Sequence, residues 1–222
     1  MSDAIAENIA RLREEIPPEV RLIAVSKTHS AAKIRLAYAA GIRDFGENRF
    51  QEAQQKQAEL EDLPDIRWHF IGHLQKNKAK KAIVHFDWIH TVDSLALAQK
   101  LDQYAADLEN PARCCLQIKP LPDPNKFGWE IPQLLSDLPQ LAICQHLKLQ
   151  GLMTILPLGL SRTETQMAFE QVFSLREQLN QMASLPEQLT ELSMGMSGDY
   201  PLAIEAGATM IRVGQGIFGA RE

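Results

Sequence analysis

The sequence predicts one closed (β/α)8 barrel of the TIM type, an α/β fold, on three observations. Short apolar runs alternate with amphipathic segments along the whole chain. The runs number about eight, the count such a barrel needs. The 222 residues are enough for that barrel and leave almost nothing for a second domain, so a single domain over 1–222 is expected. Unbroken apolar runs suit strands buried on both faces, and strand-helix-strand repetition implies parallel pairing with right-handed crossovers. An open doubly wound sheet is the structural alternative.

Taken in order, Ile5, Ile9, Leu12 and Ile16 recur at helical spacing behind Ser2, a candidate N-cap, until Pro17-Pro18 ends the segment. Leu22-Ile-Ala-Val-Ser26 is the first strand, and 30–40 reads helical with Gly41 as its stop. Further strands are expected at 43–46, 67–72, 88–92, 114–118, 149–155, 189–194 and 209–213. Helical patterns such as 94–108 and 163–182 separate most of them.

Composition narrows the function classes. Hydrophobic residues at 45% and charged residues at 23% are the balance of a globular protein. Lys plus Arg at 23 against Asp plus Glu at 28 gives a net charge of −5, so no overall positive field exists to hold nucleic acid or an anionic membrane. No apolar run approaches the ~20 residues of a membrane span, and acids stand at the start where a signal peptide carries basic residues. Three cysteines, Cys114, Cys115 and Cys144, cannot all pair and lack a Cys-x-x-Cys spacing. They read as small core fillers of a protein in the reducing cytoplasm.

In a barrel of this kind the chemistry sits at the C-terminal rim, and polar groups gather there. The strands run into Ser26-Lys27-Thr28-His29, Gly46-Glu47-Asn48-Arg49, Gly72-His73-Leu74-Gln75 and Met153-Thr154. The seventh continues into Ser193-Met-Gly-Met-Ser197-Gly-Asp199, and the eighth into Arg212-Val-Gly214-Gln-Gly216-Ile-Phe-Gly219. Gly214-x-Gly216-x-x-Gly219 matches a dinucleotide fingerprint letter for letter. A Rossmann site nevertheless needs a following helix, strand and acidic residue, for which no chain remains. What survives is the local physics: glycines let backbone N–H groups approach an anion, and the rim after strands seven and eight is the recurrent phosphate site of barrels. A tight turn without a ligand is the bland alternative for these glycines.

Lys27 follows an apolar strand, where desolvation lowers an amine's pKa. An unperturbed lysine is only ~0.04% neutral at pH 7, so such a fall raises the nucleophilic fraction steeply. Alone, Lys27 also reads as an ordinary rim lysine. Together with the glycine turn and the fixed cation Arg212, it describes a pocket for an aldehyde that carries a phosphate, and pyridoxal 5′-phosphate (PLP) is such a molecule.

Six segments carry a family resemblance: Ala24-Val-Ser-Lys27-Thr-His-Ser30, Phe45-Gly-Glu-Asn48, Trp68-His-Phe-Ile-Gly-His-Leu-Gln-Lys-Asn-Lys78, Gly151-Leu-Met-Thr-Ile155, Leu192-Ser-Met-Gly-Met-Ser-Gly-Asp199 and Ile211-Arg-Val-Gly-Gln-Gly-Ile-Phe-Gly-Ala-Arg221. In this order, over nearly the whole chain, they resemble the YggS/PROSC family of PLP-binding homeostasis proteins. The resemblance implies a fold-type III PLP barrel similar to the N-terminal domain of alanine racemase, usually monomeric and without an established reaction. It also implies a role in buffering PLP and delivering it to PLP-dependent apoenzymes, with effects on amino-acid and keto-acid pools. By the same resemblance Lys27 is the Schiff-base lysine, and Asn48 lies near the cofactor's ring oxygen or the imine. Ser193 and Met194 line the ring, and Gly214 and Gln215 offer backbone donors to phosphate with help from a Ser197 or Ser193 hydroxyl. Arg212 is then the cation at the pyridine nitrogen. Many relatives carry Thr where this chain has Gln215, which removes that side-chain hydroxyl. The fifth strand's ending, Ile118-Lys119-Pro120, also departs from relatives and is given no role.

A non-catalytic carrier is expected over a PLP-dependent racemase-like enzyme. Racemisation needs an acid/base group on each face of the carbanion, and Lys27 serves only one. Tyr38 and Tyr104 fall inside expected helices, Tyr200 lies beside the phosphate end, and His73 reads as a structural hydrogen bonder. His69-x-x-x-His73 has the spacing of a zinc pair, but its first member is on a strand and no Glu accompanies it, so no metal is expected. Lys76, Lys78, Lys80 and Lys81 read as solvated helix charges.

Overall fold

The computed structural model describes residues 2–219, with side chains from Ala4 onward. Within it the chain forms strands β1 (Arg21–Val25), β2 (Asp44–Glu47), β3 (Arg67–Phe70), β4 (Trp88–Val92), β5 (Arg113–Lys119), β6 (Trp129–Glu130), β7 (Lys148–Thr154), β8 (Glu191–Met196) and β9 (Met210–Val213). Helix α1 (Ser2–Glu15) precedes β1. The helices α2 (Ala31–Ala39), α3 (Phe50–Glu59), α4 (Ala79–His85), α5 (Leu95–Ala105), α6 (Ile131–Leu141), α7 (Arg162–Met182) and α8 (Tyr200–Glu205) connect the strands, and the short α9 (Gln215–Phe218) follows β9. Ser2 stands inside α1, its side chain outside the described ones, as are Ala220 and Arg221 of the last quoted motif.

All pairings are parallel. They run β4-β3-β2-β1-β9-β8-β7-β5, and a further β4–β5 pairing closes the ring into an eight-stranded barrel. That closure excludes the open doubly wound sheet. β6 is an unforeseen two-residue strand that pairs only with the end of β5, Ile118 opposite Trp129. Strand bounds shift by a residue or two from expectation. The third stops at Phe70, and β8 runs later, Glu191–Met196, because the Asn180 side chain takes both backbone groups of Leu189 ahead of it.

Local chemistry sets the element ends. Ser30 caps α2, its Oγ accepting from the Lys33 N–H, and Gly41 at φ 91° ends the turn after it. Ser161 and Glu164 form a reciprocal capping box on α7. Between sheet and helices lies a continuous apolar layer that includes Phe45, Ile89, Leu116, Leu152 and Phe169, all at most 1% exposed. Burying each such side chain contributes roughly 1.5–3 kcal/mol. Inside the barrel Ile23, Trp88, Cys115, Met153 and Met210 form a smaller cluster. The three cysteines are free and buried, as core fillers should be, and burial pushes their thiols up. Among the described residues no helix is long and apolar enough to cross a membrane.

Candidate cofactor site

β1 ends at Val25, and the chain then turns through half-buried Lys27 and exposed Thr28, whose φ of 67° is unusual for a β-branched residue. The pairing of β1 with β9, Ala24 opposite Val213, places this elbow beside the glycine turn. A Cβ added to Gly214 would lie 3.5 Å from the Val25 carbonyl oxygen, and the His29 ring stacks on Phe218 of α9 at 4.7 Å. Gly214 is the N-cap of α9, and its carbonyl accepts from the Ile217 and Phe218 N–H groups, so the N–H groups of Gln215 and Gly216 are the ones without an intrahelical acceptor. A Cβ on Gly216 would meet Val213 Cγ1 at 2.8 Å, which explains that second glycine by packing. Lys27, Gly214 and Gln215 are thus brought together at one rim.

Arg212 points inward from β9, 3% exposed, its guanidinium donating to Ser193 Oγ at 2.7 Å and to the Thr154 carbonyl at 2.8 Å. Burial pushes its pKa down to about 10, still charged at neutral pH. From Ser193 a chain of buried side chains crosses the barrel interior. Ser193 Oγ lies 2.8 Å from His90 Nδ1, His90 Nε2 2.8 Å from His69 Nδ1, and His69 Nε2 2.9 Å from Asp44 Oδ1. Burial would raise Asp44, but hydrogen bonds from His69 and Arg67 outweigh it and hold the carboxyl at about 2. Burial lowers both histidines, so both rings are neutral at pH 7.

These states fix every proton in the chain. Ionised Asp44 only accepts, so His69 donates from Nε2 and accepts at Nδ1. His90 must then donate from Nε2 and accept at Nδ1, which takes the Ser193 hydroxyl proton. Ser193 Oγ is left with lone pairs for Arg212. The polarity runs one way, from a guanidinium at the rim to a carboxylate at the floor. One expectation is corrected by it: with its proton committed to His90, Ser193 has no donor for a phosphate. Exposed Ser197, in the turn 197–199, is the hydroxyl that remains.

Met194 also differs from expectation. Ser193 faces the barrel interior, so its neighbour on the strand faces outward, and Met194 is fully buried in the layer between sheet and helices rather than lining the rim. Asn48, just after β2, is half-buried, and its Oδ1 is a buried acceptor without a hydrogen-bond partner. Gly72 backs it closely; a Cβ there would lie 2.1 Å from the Asn48 carbonyl oxygen.

Other candidates are engaged elsewhere. His73 Nδ1 lies 2.9 Å from Asp93 Oδ2, and its ring stacks on Phe127. The Tyr38 hydroxyl bonds Asp65, the Tyr200 hydroxyl bonds Glu15, and the Tyr104 ring lies under Lys80 and Lys100. Lys76, Lys80 and Lys81 are exposed and Lys78 is half-buried. Among the described residues no group of three or more His, Cys, Asp or Glu is arranged to hold a metal ion. The residues present do fit a phosphorylated pyridine aldehyde: an amine, a backbone anion cradle, a buried cation bonded to the neutral acceptors Ser193 Oγ and the Thr154 carbonyl, and an Asn48 oxygen without a partner among the described residues. His69, His90 and Asp44 were not legible as site residues. The signal available was a polar residue at the inward parity of an otherwise apolar strand.

Comparison with known proteins accords with this geometry. The sequence profile of the family described as alanine racemase, N-terminal domain, matches residues 1–222. A pyridoxal phosphate homeostasis protein of Synechocystis sp. is 56% identical over 206 residues, covering 93% of this chain and 94% of the relative. Another, from Pseudomonas aeruginosa, is 42% identical over 231 residues, covering 98% and 96%. The structure of PipY from Synechococcus elongatus PCC7942 with PLP bound superposes with a TM-score of 0.92 at 56% identity, covering 97% of this chain and all of that one. An alanine racemase of Clostridium difficile 630 shares the fold, TM-score 0.82, at 15% identity over 99% of this chain and 57% of its own. On its sequence, its barrel and these relatives together, the chain belongs to the family of pyridoxal phosphate homeostasis proteins, built on the fold of the alanine racemase N-terminal domain.

Proposed function

We propose that this protein binds PLP through Lys27 and holds it as a non-catalytic carrier, a monomer of one domain in the cytoplasm. It serves PLP homeostasis and the supply of PLP-dependent apoenzymes, and through them amino-acid and keto-acid balance. The observation that carries the reading is the juxtaposition made by the β1–β9 pairing, which sets the Lys27 elbow against the Gly214-Gln215 turn with Arg212 between strand and floor. The structure of the relative PipY with PLP bound supports it.

When bound, PLP supplies an electrophilic aldehyde on an anionic, aromatic ring. Lys27 Nζ forms a C=N bond to the aldehyde carbon, a Schiff base, and the aldehyde oxygen leaves as water. The Gly214-Gln215 backbone with Ser197 holds the phosphate. Arg212, whose partner Ser193 is locked as an acceptor, keeps a cation at the far pole, where it disfavours protonation of a ring nitrogen. Asn48 Oδ1 gains the partner it lacks. Among the described residues, the two candidates for a second acid/base group are engaged elsewhere, His73 with Asp93 and the Tyr200 hydroxyl with Glu15. That favours a carrier over a racemase.

The test is borohydride reduction of the protein incubated with PLP, followed by peptide mass mapping. The expected adduct is on Lys27, and Lys27→Ala abolishes it with an unchanged unfolding midpoint. An equal adduct in Lys27→Ala, or none in the native protein, refutes the reading. Exchange of amino-acid α-protons in deuterated water at ordinary enzymatic rates would replace the carrier by the racemase-like enzyme.

A further inference from the structure

Behind the lysine elbow lies a second set of charges. Helix α3 reads as a surface helix rich in Gln and Glu, yet it buries Phe50, Ala53 and Lys56 on one face, and the Lys56 side chain is 7% exposed. An ammonium has three donors, and Lys56 uses all of them. Nζ donates to the Ser26 carbonyl at 2.8 Å, to Glu47 Oε1 at 2.7 Å and to Glu52 Oε1 at 2.7 Å. Glu47 Oε1 also accepts from Ser26 Oγ at 2.6 Å, and Glu52 Oε1 from the Thr28 N–H at 2.5 Å.

Geometrically, the Ser26 carbonyl belongs to the peptide before Lys27 and the Thr28 N–H to the peptide after it. Both flanking peptides are therefore anchored on one lysine-carboxylate cluster. Because peptide units are planar, fixing the two together fixes the backbone dihedrals of Lys27 and so the direction of its Cα–Cβ bond. The same anchors, together with the turn bond from the His29 N–H to the Ser26 carbonyl at 3.0 Å, hold Thr28 at its φ of 67°, a conformation that costs on the order of 1–3 kcal/mol and persists only where the surroundings over-determine it. Burying such charges is itself expensive, and Glu47, wholly buried, keeps Oε2 without a partner. Packing alone would be better served by apolar side chains there.

We infer that Lys56, with Glu47 and Glu52, is a positioning group that aims Lys27 at the cofactor's aldehyde through the backbone on either side of it. This rests on Lys27 as the PLP lysine and adds the device that presents it. Misaiming a reacting group by about an ångström slows a reaction by up to ~100-fold, so loss of the clamp should show in the rate of bond formation.

The test uses the full chain and two measurements. Without PLP, hydrogen exchange of the Thr28 amide is followed by NMR. With PLP, the rate of borohydride-trappable adduct formation on Lys27 is followed by quenched-flow mass spectrometry. In Glu52→Leu the Thr28 amide should lose protection while β1 amides keep theirs, and adduct formation should slow roughly 10- to 100-fold. Glu52→Gln, which retains an acceptor oxygen, should restore most of both. Lys56→Met should slow adduct formation at least as much; where it does not fold, Glu52→Leu alone decides. A Thr28 amide unprotected in the native protein, or an unchanged rate in Glu52→Leu after protection is lost, overturns the inference. A native protein with a protected Thr28 amide but no adduct overturns the PLP reading instead, so the two failures are distinguishable.

Discussion

Replacing Asp44 by Asn isolates the charge at the foot of the hydrogen-bonded chain. The carboxylate is 5% exposed and accepts from Arg67 at 2.8 and 2.6 Å and from His69 at 2.9 Å. The gap between its ordinary value of 3.8 and its value of about 2 in the folded protein is worth about 2.5 kcal/mol at about 1.4 kcal/mol per pH unit. Because the folded carboxyl ionises more readily than the unfolded one, that stabilisation is fully present above about pH 4. It fades as the pH falls through about 2. Asn is the neutral isostere and keeps an oxygen for His69, so Asp44→Asn should lose roughly 2.5 kcal/mol at pH 7, about 5–10 °C in Tm for a chain of this size. Urea unfolding of both proteins from pH 7 to pH 2 measures it, and the difference should close as the native protein loses its own charge. A gap below about 0.5 kcal/mol at pH 7, or one that stays constant into acid, would refute the reasoning.

Two further substitutions probe the rim. Ser193→Ala removes the link between Arg212 and His90, leaving a buried N–H and a buried ring nitrogen without their partner; at about 1–3 kcal/mol for each unsatisfied group, a loss of roughly 2–6 kcal/mol is expected by denaturant titration. A further expected sign is a changed His90 side-chain 15N shift. Gly72→Ala should displace Asn48, lowering both stability and PLP affinity by equilibrium dialysis. Gly198→Ala, where the added Cβ meets nothing within 4 Å, should change neither beyond a few tenths of a kcal/mol.

The barrel was legible because parallel strands buried on both faces must be apolar throughout, and runs such as Leu22–Val25 and Cys114–Leu116 meet that demand in the open sequence. β6 was not, since two residues carry no periodicity. Lys27, Asn48, Arg212 and the Gly214 turn stood out as polar or glycine residues directly after apolar runs. Met194 was misplaced because a strand's facing is decided by parity, and one residue of phase exchanges interior for exterior. Lys56 escaped notice for a different reason. In α3 a buried lysine is indistinguishable by composition from its solvated neighbours, and only the Glu52-x-x-x-Lys56 spacing on the face of Phe50 and Ala53 hinted at it.

The two halves of the site are contributed by the first and last strands of the barrel, which zip to each other along Arg21–Met210 to Ala24–Val213. During synthesis at about 5–20 residues per second, the lysine leaves the ribosome some 10–40 seconds before the glycines that complete its pocket. A nascent or truncated chain thus exposes an amine with no anion cradle opposite it. With PLP held as proposed, between Lys27 and the Gly214 turn, vitamin capture would mark finished assembly, and the captured molecule would stabilise the seam against reopening in proportion to the logarithm of its free concentration.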